Sequence, residues 1–241
     1  MKKLTTQEIH ASFASQAGAH AIATPINIEA IIDYCQSTKL RRVLEIGGGI
    51  GTLTFTVLSY SDAIIEVYED SSYCRKKLRA NLVDWRDRFQ VIDSYDHYPS
   101  ASEYDLVIVD GPDCNSLEER DRKTSQVLSP LRSVGCFFIE GSRYSQRRIA
   151  QQKMAESSLY SLRRVKGRKV GGLGLVKGGL FVERGRQATK ITGGLCYVFW
   201  FIYDLADLKD PRRRMKVFLR FLSPGKTLVR FCRNIIKHFR S

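Results

Sequence analysis

The chain has 241 residues, of which 43% are hydrophobic and 27% charged, and its formal net charge is +14. This length allows a core that folds without metal ions or disulfide bonds, and the composition argues against disorder, collagen and a coiled-coil rod. No run of about 18 apolar residues predicts a membrane-spanning helix, and residues 1–8 lack the apolar stretch of a secretory signal. We therefore expect a soluble, globular, cytoplasmic protein.

Six cysteines are spread along the chain without a Cys-x-x-Cys pair. This spacing predicts neither a zinc knuckle nor a thioredoxin-like redox motif. We expect these cysteines to be free thiols in a reducing compartment.

The hydrophobic pattern predicts strands that alternate with helices up to residue 157. The first helix has Thr24 as its N-cap and Pro25 in its first turn, and Asp70 is expected to cap the third helix. The predicted helices are 25–38, 51–60, 70–82, 116–130 and 144–157, and the predicted strands are 41–46, 63–68, 89–92, 105–109 and 135–139. Segments 159–165 and 180–183 flank a glycine-rich stretch and predict a closing hairpin.

These elements predict an α/β fold: a Rossmann-like, doubly wound sheet that is mostly parallel, with an antiparallel hairpin near the C-terminus. We divide the chain into an N-terminal segment (1–24), a ligand-binding domain (25–185) and a basic extension (186–241). The extension holds 13 Lys and Arg residues against 3 Asp, a net charge of +10, whereas residues 1–185 hold 26 basic against 22 acidic residues.

A glycine-rich loop follows the first predicted strand, in the sequence Glu45-Ile46-Gly47-Gly48-Gly49-Ile50-Gly51-Thr52. A dinucleotide-binding fingerprint that starts at Gly47 needs glycine where Thr52 stands, and one that starts at Gly49 needs glycine where Thr54 stands. A phosphate-binding P-loop needs a lysine that this loop lacks. The loop therefore predicts neither an NAD site nor an ATP site.

The pattern Glu45-x-Gly47-x-Gly49-x-Gly51 resembles the first motif of the class I S-adenosylmethionine-dependent methyltransferases, and the resemblance extends over residues 25–185. It implies S-adenosylmethionine as the cofactor. Glycines allow the backbone to approach that ligand closely, and Glu45 is expected to supply negative charge for its cationic groups.

Acidic residues also follow the next two predicted strands. Glu69 lies 22 residues after Gly47, about the distance at which doubly wound sheets offer a carboxylate to ribose hydroxyls. Asp93 follows the third strand, where the resembling family places a polar residue against the adenine. Both residues are therefore expected to bind the cofactor.

The fourth strand leads into Asp110-Gly111-Pro112-Asp113, which resembles small-molecule O-methyltransferases more than enzymes that methylate planar amino groups. Asp110 is our candidate for a general base that acts on a hydroxyl, or for a ligand of a divalent cation. Glu140, after the fifth strand, could join it, but two carboxylates do not predict a metal site, and we assign none. His97 and His20, both in predicted loops, are further candidates for a general base.

Two other functions fit parts of this pattern. Aminopropyltransferases share the glycine loop and hold polyamines with acidic residues, and the loops 93–99 and 110–119 are acidic. A non-catalytic protein of the same fold could instead bind a membrane or a partner through its basic extension. Measured affinity for the cofactor distinguishes an enzyme from such a binding module.

The C-terminal extension has no acidic residue after Asp210 and ten basic ones. Leu228, Phe231, Ile235 and Phe239 recur at helical spacing, which predicts a basic amphipathic helix. Such a helix suits an anionic membrane surface, so residues 211–241 could bring the protein to a membrane and to a lipid-linked acceptor. Packing against its own domain or a second copy is an alternative; RNA binding is disfavoured because no recognisable RNA-binding module accompanies the basic residues.

Overall fold

The computed structural model describes residues 3–19, 22–141, 143–165 and 178–185. Within them the helices are α1 (Thr6–Ala14), α2 (Pro25–Ser37), α3 (Thr52–Tyr60), α4 (Ser72–Asn81), α5 (Leu117–Leu128) and α6 (Tyr144–Ser157). The strands are β1 (Arg42–Ile46), β2 (Ile64–Tyr68), β3 (Phe89–Ile92), β4 (Glu103–Val109), β5 (Ser133–Ile139), β6 (Tyr160–Arg164) and β7 (Leu180–Arg184). The glycine-rich stretch 171–174 and the basic extension 186–241 lie outside the described residues.

All seven strands form one sheet, in the order β3-β2-β1-β4-β5-β7-β6. Strands β1 to β5 are parallel, and β7 runs antiparallel to both β5 and β6, so the predicted hairpin is confirmed. The order of the strands reverses between β1 and β4. In open α/β sheets such a reversal leaves a crevice at the carboxyl ends of the strands, where ligands bind.

Helices cover both faces of the sheet. Successive side chains of a strand point to opposite sides, so each buried strand contributes side chains to two cores. On β1, for example, Val43 packs in the core beneath α1 to α4, and Leu44 packs in the core that includes residues of α5 and α6. This two-sided burial explains why the strands are apolar runs instead of alternating ones. The described part of the chain contains no helix both long and apolar enough to cross a membrane.

Two details differ from the sequence expectation. Ser71 caps α4, because its side chain accepts a hydrogen bond from the backbone N–H of Cys74; Asp70 instead pairs with Lys123 at 2.9 Å. The predicted elements also omit α1, which begins with a capping box between Thr5 and Glu8. Ile9 and Phe13 on this helix are buried against the same core as α2 and α3.

Candidate functional site

The glycine loop joins β1 to α3 at the crevice and has one packed and one open side. The backbone φ angles of Gly47, Gly49 and Gly51 are 85°, 52° and 98°, values that residues with side chains rarely adopt. A Cβ atom on Gly47 would lie 2.2 Å from the Cα of Gly111, whereas a Cβ on Gly49 would meet nothing within 4 Å. The loop therefore rests on the backbone that follows β4 and leaves free space above Gly49.

Glu69 stands beside this open backbone and is 8% exposed. Its carboxylate accepts hydrogen bonds from the backbone N–H groups of Gly49, at 2.7 Å, and Ser71, at 2.8 Å. Burial raises the pKa of Glu69, and these two bonds oppose the rise. A carboxylate offers about four lone-pair positions, so Glu69 retains acceptors for hydroxyl groups of a ligand.

Glu45 is on β1, two residues before the glycine loop begins at Gly47, and is 1% exposed. The hydroxyl of Thr54 donates to it at 2.5 Å. Burial raises the pKa of Glu45 to about 8, with smaller contributions from Asp110 and Glu69. Burial therefore disfavours the negative charge that the motif led us to expect at Glu45.

Asp110 and Glu140 form a carboxyl pair at the ends of the adjacent strands β4 and β5, within hydrogen-bonding reach of each other. The side chain of Asp110 is 14% exposed and accepts a hydrogen bond of 3.0 Å from Nη2 of Arg143. Burial, followed by the charge of Glu140, raises the pKa of Asp110 to about 8. Burial also raises the pKa of Glu140. The pair therefore holds a proton that it can exchange near neutral pH.

Nitrogen donors contact both carboxyl groups of the pair. Nδ2 of Asn27 donates to Oε1 of Glu140 at 2.7 Å, and the cations of Arg143 and Arg147 also face Glu140. In the described part of the chain no group of three or more His, Cys, Asp and Glu side chains could hold a metal ion. The paired carboxyl groups are suited to binding and moving a proton.

Our candidate residues did not include Asn27 or Arg143. One signal was available for Asn27: it is a polar residue next to Ile28 on an apolar helix, and the structure buries it completely. Arg143 follows the fifth strand closely, but an arginine ahead of a helix has no distinctive pattern.

The structure places Asp93 and His97 together, but apart from the carboxyl pair. Their side chains are 60% and 67% exposed, and Oδ1 of Asp93 lies 3.9 Å from Nδ1 of His97. Both line a shallow depression at the edge of β3, whose lining includes neither the glycine loop nor Asp110. The third candidate base, His20, lies outside the described residues.

No family model matches the sequence, and no curated protein matches it significantly. Solved structures do match. An O-methyltransferase from Bacillus cereus in complex with S-adenosylhomocysteine is 16% identical, with a TM-score of 0.55 over 76% of this chain and 92% of that one. The O-methyltransferase TomG from Streptomyces achromogenes, in complex with S-adenosylmethionine, is 14% identical, with a TM-score of 0.51 over 75% of this chain and 88% of TomG.

A human methyltransferase 10 domain containing protein is 12% identical, with a TM-score of 0.53 over 76% of this chain and 95% of that one. At such identities the likeness establishes architecture only. The chain therefore has the fold of the class I S-adenosylmethionine-dependent methyltransferases, as the glycine loop and the strand order both indicate.

Proposed function

We propose that this protein binds S-adenosylmethionine over its glycine loop and transfers the methyl group to a hydroxyl of a small or lipid-linked acceptor. The observation that carries the proposal is the contact between Gly47 and Gly111. It sets the open backbone of the loop next to the strand end that bears Asp110. A cofactor cradle and a proton acceptor thus share one crevice, at the reversal of the strand order.

The residues at the loop suit this cofactor. The free space above Gly49 leaves backbone accessible to a ligand, and Glu69 has acceptor positions left for ribose hydroxyls. S-adenosylmethionine, when bound, supplies a methyl group already activated on a positively charged sulfur. The neighbours from Bacillus cereus and Streptomyces achromogenes, which carry S-adenosylhomocysteine and S-adenosylmethionine, support this choice of ligand.

The carboxyl pair supports oxygen as the methylated atom. A hydroxyl acceptor loses its proton as the new carbon–oxygen bond forms, and that proton passes to the Asp110–Glu140 pair. A base works best when its pKa lies near the operating pH, which the burial of Asp110 achieves. The sequence after β4 also lacks the Asn/Asp-Pro-Pro-Tyr/Phe pattern of enzymes that methylate planar amino groups.

Two assays on the full chain test the proposal. Calorimetric titration with S-adenosylhomocysteine should give micromolar affinity, and S-adenosylmethionine labelled in its methyl group should label phenolic or aliphatic hydroxyl acceptors. Asp110→Asn should lower transfer at least about a hundredfold, the usual contribution of general acid–base catalysis, with affinity for S-adenosylhomocysteine retained. Asp113→Asn, at a neighbouring exposed position, is the matched control. Absence of binding to folded protein would favour a non-catalytic binding module, and labelling of amines alone would overturn the hydroxyl assignment.

The basic extension supports a second element of the proposal, association with an anionic membrane surface. Its apolar positions repeat at helical spacing and its ten basic residues after Asp210 are unopposed by acidic ones. Segments of this composition bind anionic head groups through Lys and Arg and the acyl boundary through Phe and Leu. A lipid-linked acceptor would be reached from such a surface.

A further inference from the structure

We propose that Asn27 is a positioning residue: its side-chain amide holds Glu140 as the ionised member of the carboxyl pair and thereby leaves the shared proton on Asp110. The catalytic consequence rests on the proposed function: Asp110 can receive the acceptor's proton only as its own proton passes to the ionised Glu140. The location of the proton itself can be measured without any acceptor.

The neighbours of Asn27 fix the orientation of its amide. The side chain is completely buried in α2, and its Oδ1 accepts a hydrogen bond of 2.7 Å from the backbone N–H of Gly179. A backbone N–H can only donate, so the oxygen of the amide must face Gly179 and the nitrogen must face Glu140. Asn27 therefore always presents a donor to Glu140, at 2.7 Å from Oε1.

This donor makes the two carboxyl groups unequal. Glu140 faces the amide of Asn27 and the cations of Arg143 and Arg147, all of which favour its ionised form. Asp110 has the cation of Arg143 beside it, which favours its ionised form.

A neighbouring negative charge also disfavours the ionised form of Asp110. Glu140 opposes its ionisation directly. The first proton to leave the pair should accordingly come from Glu140, and the second from Asp110.

The position of the remaining proton agrees with the contacts of Asp110. Oδ1 accepts from Arg143, so a proton on Asp110 would reside on its other oxygen, Oδ2. Asn27 thus acts through Glu140 on Asp110, although it has no contact of its own with Asp110 among the described hydrogen bonds.

Carboxyl titration by nuclear magnetic resonance tests the proposal on the full chain, with Asp and Glu labelled by ¹³C at their carboxyl carbons. Signals are assigned with Asp110→Asn and Glu140→Gln. In the wild type Glu140 should titrate at lower pH than Asp110. In Asn27→Leu the midpoint of Glu140 should rise by about one pH unit, the scale of one hydrogen bond to a charged group. Asn27→Asp replaces the donor with a carboxylate that faces Glu140, so it should raise the midpoint of Glu140 further.

Thr56→Val is the matched control, because Thr56 is equally buried and, among the described residues, its hydroxyl donates within α3 to the carbonyl of Thr52. It should leave both midpoints unchanged. An unchanged Glu140 midpoint in Asn27→Leu, or an Asp110 that titrates first in the wild type, would overturn the proposal.

If Asn27→Leu does not fold, the side-chain amide signals of Asn27 in the wild type test the same contact with Glu140. They should shift with the titration of Glu140, and signals that stay constant with pH would again overturn the proposal. These results are independent of cofactor binding: the predicted titrations without affinity for S-adenosylhomocysteine would remove the proposed function alone, and affinity without the shift would remove the role of Asn27 alone.

Discussion

The carboxylate of Glu69 accepts a hydrogen bond of 2.7 Å from the backbone N–H of Gly49, which ties the end of β2 to the open face of the glycine loop. The same carboxylate accepts from Ser71 at the start of α4. One side chain thus sets both the shape of the loop and the acceptors next to it.

Glu69→Gln should weaken binding of S-adenosylhomocysteine by about tenfold or more, the scale of one lost charged hydrogen bond. An amide has a single oxygen, so it cannot accept from both Gly49 and Ser71 and still serve a ligand. Isothermal titration calorimetry measures the change. Glu66→Gln, on β2 just before Glu69 but bonded to Ser100 and Tyr104, is the control that should keep wild-type affinity. Equal affinities in all three proteins would place the ligand elsewhere.

Gly47 and Gly49 should respond differently to alanine. Gly47→Ala forces a Cβ onto the backbone of Gly111 and should lower the free energy of unfolding by about 2 to 3 kcal/mol. Gly49→Ala meets no neighbour, so its cost is the strain of the positive φ, about 1 kcal/mol. It should nevertheless abolish most S-adenosylhomocysteine binding, because the added methyl enters the ligand's space. Chemical denaturation and calorimetry separate the two effects; a Gly49→Ala protein with full affinity would contradict this account of the loop.

The pH dependence of stability should report the buried acid Asp110. Its pKa is raised to about 8 in the folded chain, mainly by burial and by Glu140, whereas Arg143 opposes the rise. The folded state therefore binds more protons than the unfolded state between pH of about 4 and 8, and stability falls as pH rises through this range.

Asp110→Asn should reduce that slope, which denaturation at several pH values measures. Glu45, whose pKa is also raised to about 8, contributes the same sign and should keep part of the slope. Glu29→Gln, at an exposed position of α2, is the control expected to change nothing. A slope that Asp110→Asn leaves intact would refute the assignment.

The N-terminal helix should be part of the folded core. Phe13 is 1% exposed, and its ring lies 5.5 Å from that of Phe55 on α3. Phe13→Ala should therefore cost about 3 to 5 kcal/mol of unfolding free energy. Ile64→Ala, at a position 56% exposed, should cost far less. Similar losses for the two variants would mean that α1 does not pack as described.

The basic extension should carry the protein to anionic vesicles. The full chain should sediment with vesicles that contain phosphatidylserine, and less at high salt, because surface charges are screened. A chain shortened to end at Gly185 should stay in the supernatant. Equal sedimentation of both proteins would contradict the membrane proposal. Oligomerisation of the full chain, but not of the shortened one, would favour a contact between copies.

The sequence predicted the architecture well because hydrophobic periodicity and glycine placement are local signals. The strand ends that carry Glu69 and Asp110 follow from buried apolar runs, and so does the closing hairpin. The helix α1 was missed because only Ile9 and Phe13 mark its buried face, too few for a periodic pattern.

The protonation state of the site could not be predicted in the same way. The motif implies a charged Glu45, but burial raises the pKa of this carboxyl and the hydrogen bond from Thr54 lowers it, and neither effect can be read from the local sequence. Likewise, the hydrogen bond of Asn27 to Glu140 joins residues 113 positions apart, and no local pattern announces it. Such long-range contacts appear only once the chain is folded.

The hydrogen bond between Asn27 and Gly179 spans 152 residues and lies beside the last strand to enter the sheet. Contacts of such separation close large loops, whose entropy must be overcome before they contribute, so they tend to form late in folding. During synthesis, a nascent chain can complete the glycine loop and the parallel strands well before residue 179 emerges. The glycine loop, whose contacts with Glu69 and Gly111 lie earlier in the chain, should therefore form before the contact that orients the amide of Asn27.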